Sequence, residues 1–195
     1  DLLIEVHYSS LNFKDAMSAT GNKRITKQYP HTPGIDAAGV VVSDKSGTFT
    51  VGQEVLVFGY DLGMDTDGGL GQMISIPAEW ALACPETLTL KEAMTYGTGG
   101  LTAALSVQKL EKMGAKPSDG PVAVTGATGG VGTISIAILK QLGYEVIAFS
   151  GKPEQSDHLK AVGASEVRHR DTINEIGNKP VGRELWANAI DTVGG

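Results

Sequence analysis

Residues 124–143 read VTGATGGVGTISIAILKQLG, a short apolar strand, a glycine-rich turn and a segment with apolar residues at helical spacing. Glycines at 126, 129 and 132 give the order G-x-x-G-x-x-G, not the more specific G-x-G-x-x-G. Such a turn lets the chain reverse sharply, lets its backbone approach a pyrophosphate and lets the helix pack close to its strand. The stretch therefore predicts the phosphate-binding turn of a dinucleotide fold. A tight strand–helix turn without a ligand is the alternative.

The start of the helix after this turn is predicted to bind the phosphates. First-turn N–H groups have no partner within the helix, and the positive end of the helix dipole favours an anion. The expected contacts are Thr128, Gly129, Gly130 and Val131.

The stretch AFSGKPE, residues 148–154, lies about twenty residues further on, where dinucleotide folds often carry an acid that binds the adenosine ribose. An acid accepts a hydrogen bond from the 2′-hydroxyl but repels a 2′-phosphate. Here Ser150 can donate a hydrogen bond, Gly151 leaves room for a phosphate, and Lys152 supplies positive charge. Arg168 and Arg170, at the end of the next predicted strand, can add to the same pocket. The pattern favours NADPH over NADH, with a solvated surface lysine as the alternative reading of position 152.

The two halves of the chain differ in the period of their apolar residues. Segments rich in β-branched residues predict a small, strongly curved β-domain or partial barrel with strands at 2–8, 37–43, 48–59 and 72–78. Strands and helices then alternate, which predicts right-handed βαβ units and a parallel sheet. The predicted helices are 91–114, one ending at 142, and 158–162, and the strands are 121–126, 145–151, 166–169 and 185–195. We therefore predict an α/β chain with domains at 1–93 and 94–195.

The composition is that of an ordinary globular protein and narrows the possible partners. Of the 195 residues, 41% are hydrophobic and 19% charged, and no run of eighteen apolar residues is present. The net charge of −6, without a basic block, argues against nucleic acids and anionic membranes as partners. One cysteine, Cys84, excludes a disulfide framework, and the N-terminal DLLIEVHYSS lacks a signal-peptide pattern. These features predict a cytoplasmic protein.

Eight motifs follow one another along essentially the whole chain: SSLNFKD (9–15), PGIDAAG (33–39), GQEVLVFG (52–59), GGLGQ (68–72), GTGGLTA (97–103), TGATGGVG (125–132), SGK (150–152) and IDTVGG (190–195). With them the chain resembles the zinc-independent medium-chain dehydrogenases/reductases, in the quinone-oxidoreductase-like branch that includes NADPH-dependent acrylyl-CoA reductase. The resemblance implies a GroES-like partial β-barrel catalytic domain followed by a doubly wound Rossmann domain that binds NADPH. It also implies that an N-terminal strand region and a large C-terminal part are absent here, and that the intact protein is a homodimer.

Residue types argue against a zinc site. Zinc-dependent relatives bind the metal through cysteine and histidine, and this sequence has a single cysteine and four histidines without metal spacing. Where those relatives have Gly-His-Glu, this chain has Gly34-Ile35-Asp36. We therefore expect no metal.

The resemblance further implies hydride transfer from the nicotinamide to the β-carbon of an activated alkene, while a thioester carbonyl takes up the developing negative charge. By the same resemblance Asn12 and Phe13 contact cofactor or substrate, and Asp15 is a catalytic candidate whose alternative is a structural role. Thr98 and Thr102 can reach the cofactor, with hydrogen bonding inside their own helix as the alternative. Met17 stands where some relatives carry a tyrosine proton donor, so bound water is the expected proton source.

Four functional hypotheses follow. The leading one is NADPH-dependent reduction of a short enoyl thioester such as acrylyl-CoA. NADPH-dependent quinone reduction and a polyketide-type enoylreductase module are the alternative enzymes. A non-catalytic NADPH-binding sensor is the alternative of a different class, and it predicts cofactor binding without turnover.

Overall fold

The computed structural model describes residues 1–173 and 184–194 of the chain. The chain divides into two compact units, Asp1–Thr98 and Gly99–Gly195. The boundary between the two units falls inside the helix Leu90–Lys112. The predicted domain division between residues 93 and 94 lies in the first turn of the same helix, and it stays a prediction. No helix in the described ranges combines the length and the apolar character that crossing a membrane requires.

The first unit is built on a five-stranded antiparallel sheet with the strand order β4-β1-β2-β3-β5. A short helix, α1, follows the first strand and leads into the loop before the second. The elements are β1 (Leu2–Tyr8), α1 (Phe13–Ala19), β2 (Asp36–Asp44), β3 (Glu54–Phe58), β4 (Met73–Ile76) and β5 (Ala81–Ala83).

Alternate residues at the start of β1 and along β4 are apolar and buried, and these side chains form part of the core under the sheet. Leu2 pairs with Ile76 and Ile4 with Ile74, and all four side chains are buried. Burying a Leu or Ile side chain contributes about 1.5–3 kcal/mol. β1 also lies so close to β2 that a Cβ at Gly39 would be 2.0 Å from the Glu5 carbonyl oxygen. Only glycine fits at position 39, where β2 passes this close to β1. The last glycine of PGIDAAG is therefore required by the packing of the two strands.

Two predictions for the first half were wrong in detail. The strand predicted at 48–59 begins only at Glu54, because residues before it form a turn that Asp44 stabilises by accepting hydrogen bonds from Ser46 N (2.7 Å) and Phe49 N (2.8 Å). Helix α1 was not predicted, since seven residues are too few for a clear apolar period. The strands predicted at 2–8, 37–43 and 72–78 are confirmed as β1, β2 and β4 within one or two residues.

The second unit contains a parallel sheet of four strands in the order β8-β7-β6-β9. This confirms the predicted alternation of strands and helices. The elements are β6 (Val122–Val124), α3 (Gly130–Gln141), β7 (Val146–Ser150), α4 (Ser156–Val162), β8 (Glu166–His169) and β9 (Asn188–Ile190). The strand predicted at 185–195 is shorter, because the chain turns after Ile190, and residue 195 lies outside the described residues.

Helix α2 (Leu90–Lys112) precedes this sheet and is broken at Gly97, whose φ of 49° and ψ of −154° are not helical. The helix predicted at 91–114 is therefore two helical segments joined at a glycine. The break follows from the sequence GTGG at 97–100, since glycine adopts such backbone angles without a steric penalty.

Candidate functional site

A cavity of about 840 Å³ opens at the carboxyl ends of the four parallel strands in the second unit. Each strand contributes the residues that follow it: Gly126 after β6, Lys152 after β7, Arg170 after β8 and Asp191 after β9. Ligands of open parallel sheets bind at this edge, because loops from neighbouring strands converge there. The cavity is therefore the place where a nucleotide fits this unit.

The glycine-rich turn lines the cavity through Thr125, Gly126 and Thr128. A Cβ at Gly132 would be 2.4 Å from the Gly126 carbonyl oxygen, so glycine is required for α3 to pack on the turn. A Cβ at Gly130 would meet nothing within 4 Å, so the first residue of α3 is open to an approaching group. No acidic residue stands in the first turn of α3. The predicted contacts Thr128, Gly129 and Val131 lie at the same helix start, which is suited to an anion.

Ser150, Gly151 and Lys152 form the adjoining wall of the cavity. Ser150 is 6% exposed, and its Oγ accepts a hydrogen bond from Lys152 N at 3.0 Å. A hydroxyl that accepts one hydrogen bond still has its proton to donate. Ser150 and Lys152, two positions apart at the end of β7, thus bring one O–H donor and one ammonium group to the same cavity.

Arg170 is held against this wall. Its backbone N donates to the Ser150 carbonyl oxygen at 3.0 Å. A Cβ at Gly151 would be 2.9 Å from Arg170 Nε, so the guanidinium group lies directly over the glycine. The absence of a side chain at position 151 thus makes room for a neighbouring cation as well as for a ligand.

Arg168 lines a smaller neighbouring cavity together with Ser150 and Lys152. Its Nε and Nη2 donate to the two carboxylate oxygens of Glu166, each at 2.7 Å. This bidentate pair lowers the pKa of Glu166, chiefly through the hydrogen bond. Arg168 thus lies beside Ser150 and Lys152 with its guanidinium group paired to a carboxylate, and its contribution to the phosphate pocket stays a prediction.

Asp191 and Thr125 were missed by the sequence reasoning. Thr125 Oγ1 donates a short hydrogen bond to Asp191, and Thr192 N donates to Thr125 Oγ1 at 2.9 Å. The Thr125 hydroxyl lowers the pKa of the Asp191 carboxyl, with a further contribution from the Val193 N–H. The cavity therefore has a carboxylate after β9 and cations after β7 and β8. Asp191 could have been predicted from the motif IDTVGG, because it directly follows a strand of the parallel sheet and the carboxyl ends of such strands converge.

A second group of polar side chains lies in the first unit around Asp36, which is completely buried. Its Oδ2 accepts hydrogen bonds from Ser10 Oγ, from Asn12 Nδ2 at 2.9 Å and from Thr98 N at 2.9 Å. Its Oδ1 accepts one from Thr98 Oγ1. Two predicted site residues, Asn12 and Thr98, thus meet on one carboxylate that the sequence reasoning did not select. We call Ser10, Asn12, Asp36 and Thr98 the Asp36 cluster.

Asp15 and Phe13 lie beside this cluster in different environments. Asp15 is 3% exposed, and its two oxygens accept hydrogen bonds from Ile35 N (3.0 Å) and Asn12 N (2.7 Å). Both contacts are to backbone, so Asp15 ties the start of α1 to the entry of β2. Phe13 is 81% exposed. Its predicted contact with cofactor or substrate stays a prediction.

Among the described residues, no group of three or more His, Cys, Asp and Glu side chains is arranged to bind a metal. Residue 35, next to Asp36, is an isoleucine, which cannot bind a metal, and the Asp36 oxygens already accept four hydrogen bonds. The donor set around Asp36 therefore does not fit zinc.

Comparison with known proteins agrees with this architecture. The GroES-like domain of alcohol dehydrogenases matches residues 1–86. The putative quinone oxidoreductase YhfP of Bacillus subtilis (strain 168) is 46% identical over 194 residues, and the probable acrylyl-CoA reductase AcuI of Escherichia coli (strain K12) is 44% identical over 194 residues. Each match covers 100% of this chain and 59% of the relative, so the chain spans about three fifths of their length.

Two solved structures have the same fold. The crystal structure of E. coli K-12 YhdH with bound NADPH has a TM-score of 0.95 and 44% identity, and the match covers 100% of this chain and 60% of that one. B. subtilis YhfP with NAD bound has a TM-score of 0.94 and 46% identity, covering 99% of this chain and 59% of that one.

A GroES-like β-domain followed by a parallel nucleotide-type sheet defines a class of two-domain oxidoreductases. Within that class, the chain is similar over its whole length to proteins of the medium-chain dehydrogenase/reductase family, in the quinone-oxidoreductase-like branch.

Proposed function

We propose that the protein containing this chain is an NADPH-dependent, zinc-independent oxidoreductase that reduces the activated C=C bond of a short enoyl thioester such as acrylyl-CoA. The observation that carries the proposal is the wall of the 840 Å³ cavity, where Ser150, Lys152 and Arg170 stand beside an open glycine-rich helix start. The names of AcuI and its relatives support the substrate class.

The cofactor assignment divides between two parts of the cavity. We assign the pyrophosphate to the start of α3, at Thr128, Gly129, Gly130 and Val131, because first-turn N–H groups have no partner within a helix. The Gly129 N–H donates to the Gly126 carbonyl oxygen at 2.8 Å, so its neighbours are the expected donors. We assign the 2′-phosphate to Ser150, Gly151, Lys152 and Arg170. Two cations and a hydroxyl favour a dianion there, whereas a 2′-hydroxyl gains little from them. The bound NADPH of E. coli YhdH supports this choice, and the bound NAD of B. subtilis YhfP makes a direct comparison of the two cofactors necessary.

Bound NADPH would supply a hydride for the β-carbon of the alkene. The thioester carbonyl takes up the negative charge, and a proton, for which water is the expected source, then arrives at the α-carbon. We assign Asn12 and Phe13 to contacts with the reacting groups. Asn12 is suited to this because Asp36 holds its amide and Asp15 holds its backbone N–H. Asp15 acts in this scheme as a positioning residue, since both its oxygens are engaged by backbone.

Steady-state rates of the full-length protein test the proposal. We expect kcat/KM with NADPH to be much higher for acrylyl-CoA than for a simple quinone, and to fall when NADH replaces NADPH. Slow rates of similar size on every substrate would contradict the thioester assignment.

Quinone reduction with the same cofactor is the second candidate, because the B. subtilis relative carries the name of a quinone oxidoreductase. It predicts the reverse order of kcat/KM for the two substrates. Tight NADPH binding without turnover of either substrate would instead support a sensor.

A further inference from the structure

A carboxylate stands on the β9 side of the cavity in the second unit, where a phosphate gains nothing from it. Asp191 directly follows β9 and lines the cavity. The Thr125 hydroxyl and the Val193 N–H lower the pKa of Asp191, so the group is charged at neutral pH and repels phosphate. A negative charge in a cavity for a polyanion requires a part of the ligand that donates hydrogen bonds.

Asp191 is fixed against the glycine-rich turn by reciprocal hydrogen bonds. Thr125 Oγ1 donates to Asp191 Oδ1 and accepts from Thr192 N at 2.9 Å. Thr192 Oγ1 donates to the Thr125 carbonyl oxygen, also at 2.9 Å. A Cβ at Gly126 would be 2.3 Å from Thr192 Oγ1, so the loop after β9 and the first glycine of the turn are in direct contact. Asp191 therefore has a defined position beside the proposed pyrophosphate site.

The second oxygen of Asp191 has capacity for a ligand. The hydrogen bonds from Thr125 Oγ1 and from Val193 N, the latter at 3.1 Å, both reach Oδ1. A carboxylate has about four acceptor sites on its two oxygens. Because Asp191 is exposed and lines the cavity, its Oδ2 can accept hydrogen bonds from the hydroxyl groups of a bound molecule.

The strand order places Asp191 on the side of the cavity away from the proposed 2′-phosphate site. In the sheet β8-β7-β6-β9, the chain passes from β6 outward to β7 and β8 and then returns to the other side of β6 with β9. β6 and β9 thus flank the point at which the strand order reverses, where dinucleotides cross an open parallel sheet. With the 2′-phosphate after β7 and the pyrophosphate at the turn after β6, the other half of an extended NADPH reaches the β9 side, because the pyrophosphate joins the two halves.

We propose that Asp191 Oδ2 accepts hydrogen bonds from the ribose hydroxyls in the nicotinamide half of NADPH. This assignment rests on the proposed function, in which NADPH is the cofactor. The ribose diol offers two O–H donors and no charge, and acids bind ribose hydroxyls in this way in many dinucleotide folds. Asp191 is then a cofactor-binding residue for the half of NADPH that reacts, and the Thr125 hydroxyl positions it.

Calorimetry on the full-length protein with two probes tests this assignment. NADPH contains both halves, whereas 2′,5′-ADP contains the adenosine with its phosphates and lacks the nicotinamide ribose. Asp191→Asn keeps an oxygen that accepts from Thr125 and Val193, while an amide nitrogen replaces the second oxygen. Asp171→Asn, which removes an exposed carboxylate from the β8 side of the same cavity, is the matched control.

We expect Asp191→Asn to raise the Kd for NADPH by about ten- to a hundredfold, because a hydrogen bond to a charged acceptor is lost. The Kd for 2′,5′-ADP should stay nearly unchanged, which also shows that the variant is folded. Asp171→Asn should weaken neither probe.

Unchanged affinity of Asp191→Asn for NADPH overturns the proposal. Equal weakening of both probes also overturns it, because Asp191 would then act on the adenosine half or on the turn as a whole. Both results leave the proposed function standing, since the unchanged protein still binds NADPH. Failure of the unchanged protein to bind NADPH refutes the proposed function, and the assignment of Asp191 with it.

Discussion

At the scale of single residues, Ser150 and Lys152 combine a hydroxyl and a charge within three positions of the chain. The backbone N–H of Lys152 occupies an acceptor site of the Ser150 hydroxyl, which leaves the hydroxyl proton for a ligand. The lysine side chain lines the same cavity. The two groups are therefore complementary to a phosphate and add little for a sugar hydroxyl.

We predict that Lys152→Ala raises the Kd for NADPH by about ten- to a hundredfold and leaves the Kd for NADH nearly unchanged. The reason is that a hydrogen bond to a charged group contributes about 1.5–3 kcal/mol. Fluorescence titration of both cofactors measures the effect. Lys160→Ala, at an exposed position of α4, is the control. Equal weakening of both cofactors would show that Lys152 does not read the 2′-phosphate.

Asp36 is a buried carboxylate surrounded by donors. In Asp36→Asn an amide NH₂ replaces one oxygen and turns two protons toward Ser10 or Thr98, which already donate there. We expect a loss of stability on the order of 2–4 kcal/mol. Urea unfolding measures it, with Asp157→Asn on the exposed face of α4 as the control. Unchanged urea midpoints in both variants would mean that the cluster does not stabilise the unit.

At the scale of secondary-structure elements, the break in α2 can be tested with two glycines of one helix. A Cβ at Gly97 would lie 2.6 Å from Ser10 Oγ and 2.7 Å from Asp36 Oδ2, at a φ of 49°. A Cβ at Gly99 would have no neighbour closer than 3.7 Å. We predict that Gly97→Ala destabilises the protein by about 2–4 kcal/mol, whereas Gly99→Ala is neutral or stabilises it by up to about 1 kcal/mol. Thermal midpoints that fall equally in both would contradict this.

Helix α3 offers a second matched pair. Gly132→Ala should lower the thermal midpoint, because its Cβ would press on the Gly126 carbonyl oxygen at 2.4 Å. Gly130→Ala should leave the thermal midpoint nearly unchanged, since its Cβ has free space, but it should raise the Kd for NADPH by obstructing the pyrophosphate. Calorimetry with NADPH separates the two effects. Wild-type affinity in Gly130→Ala would place the pyrophosphate elsewhere.

The elements show which features a sequence alone can predict. The parallel sheet and its glycine-rich turn were predictable, because the spacing of apolar residues, the strand lengths and the turn glycines can all be recognised within short stretches of sequence. Helix α1 was not, because it depends on the reciprocal contacts of Asn12 and Asp15 and on Ile35, twenty residues after Asp15. Asp36 was missed for the same reason, since its partner Thr98 is 62 residues away in the chain. The pocket residues after β7 were predictable because they adjoin one strand end.

At the scale of the whole molecule, carboxyl groups with lowered pKa values contribute to the loss of stability in acid. The Phe49 N–H and the Ser46 hydroxyl lower the pKa of Asp44 to about 2, and the pKa values of Glu166 and Asp191 are also lowered. A lowered folded-state pKa stabilises the protein above the unfolded-state value and is lost as pH falls toward the folded-state value. These groups should therefore contribute fully above about pH 5 and progressively less below it.

We predict that Asp44→Asn reduces the dependence of stability on pH between 3.8 and about 2, the interval between the ordinary and the lowered pKa of Asp44. Urea midpoints at several acidic pH values measure it. The curves of the variant and the unchanged protein should converge as pH falls, because the advantage of Asp44 disappears on protonation. Parallel curves would show that Asp44 does not titrate in this interval.

The Asp36 cluster constrains which substitutions this chain can accept during evolution. Ser10, Asn12 and Thr98 share Asp36 as acceptor, and the missing side chain of Gly97 leaves the space that Ser10 and Asp36 fill. A replacement at any of these positions therefore alters which residues fit at the others. Single substitutions should mostly be lost to selection, while some pairs survive. A library that varies these positions together should recover combinations whose individual substitutions are not tolerated alone. In homologous sequences these positions should co-vary.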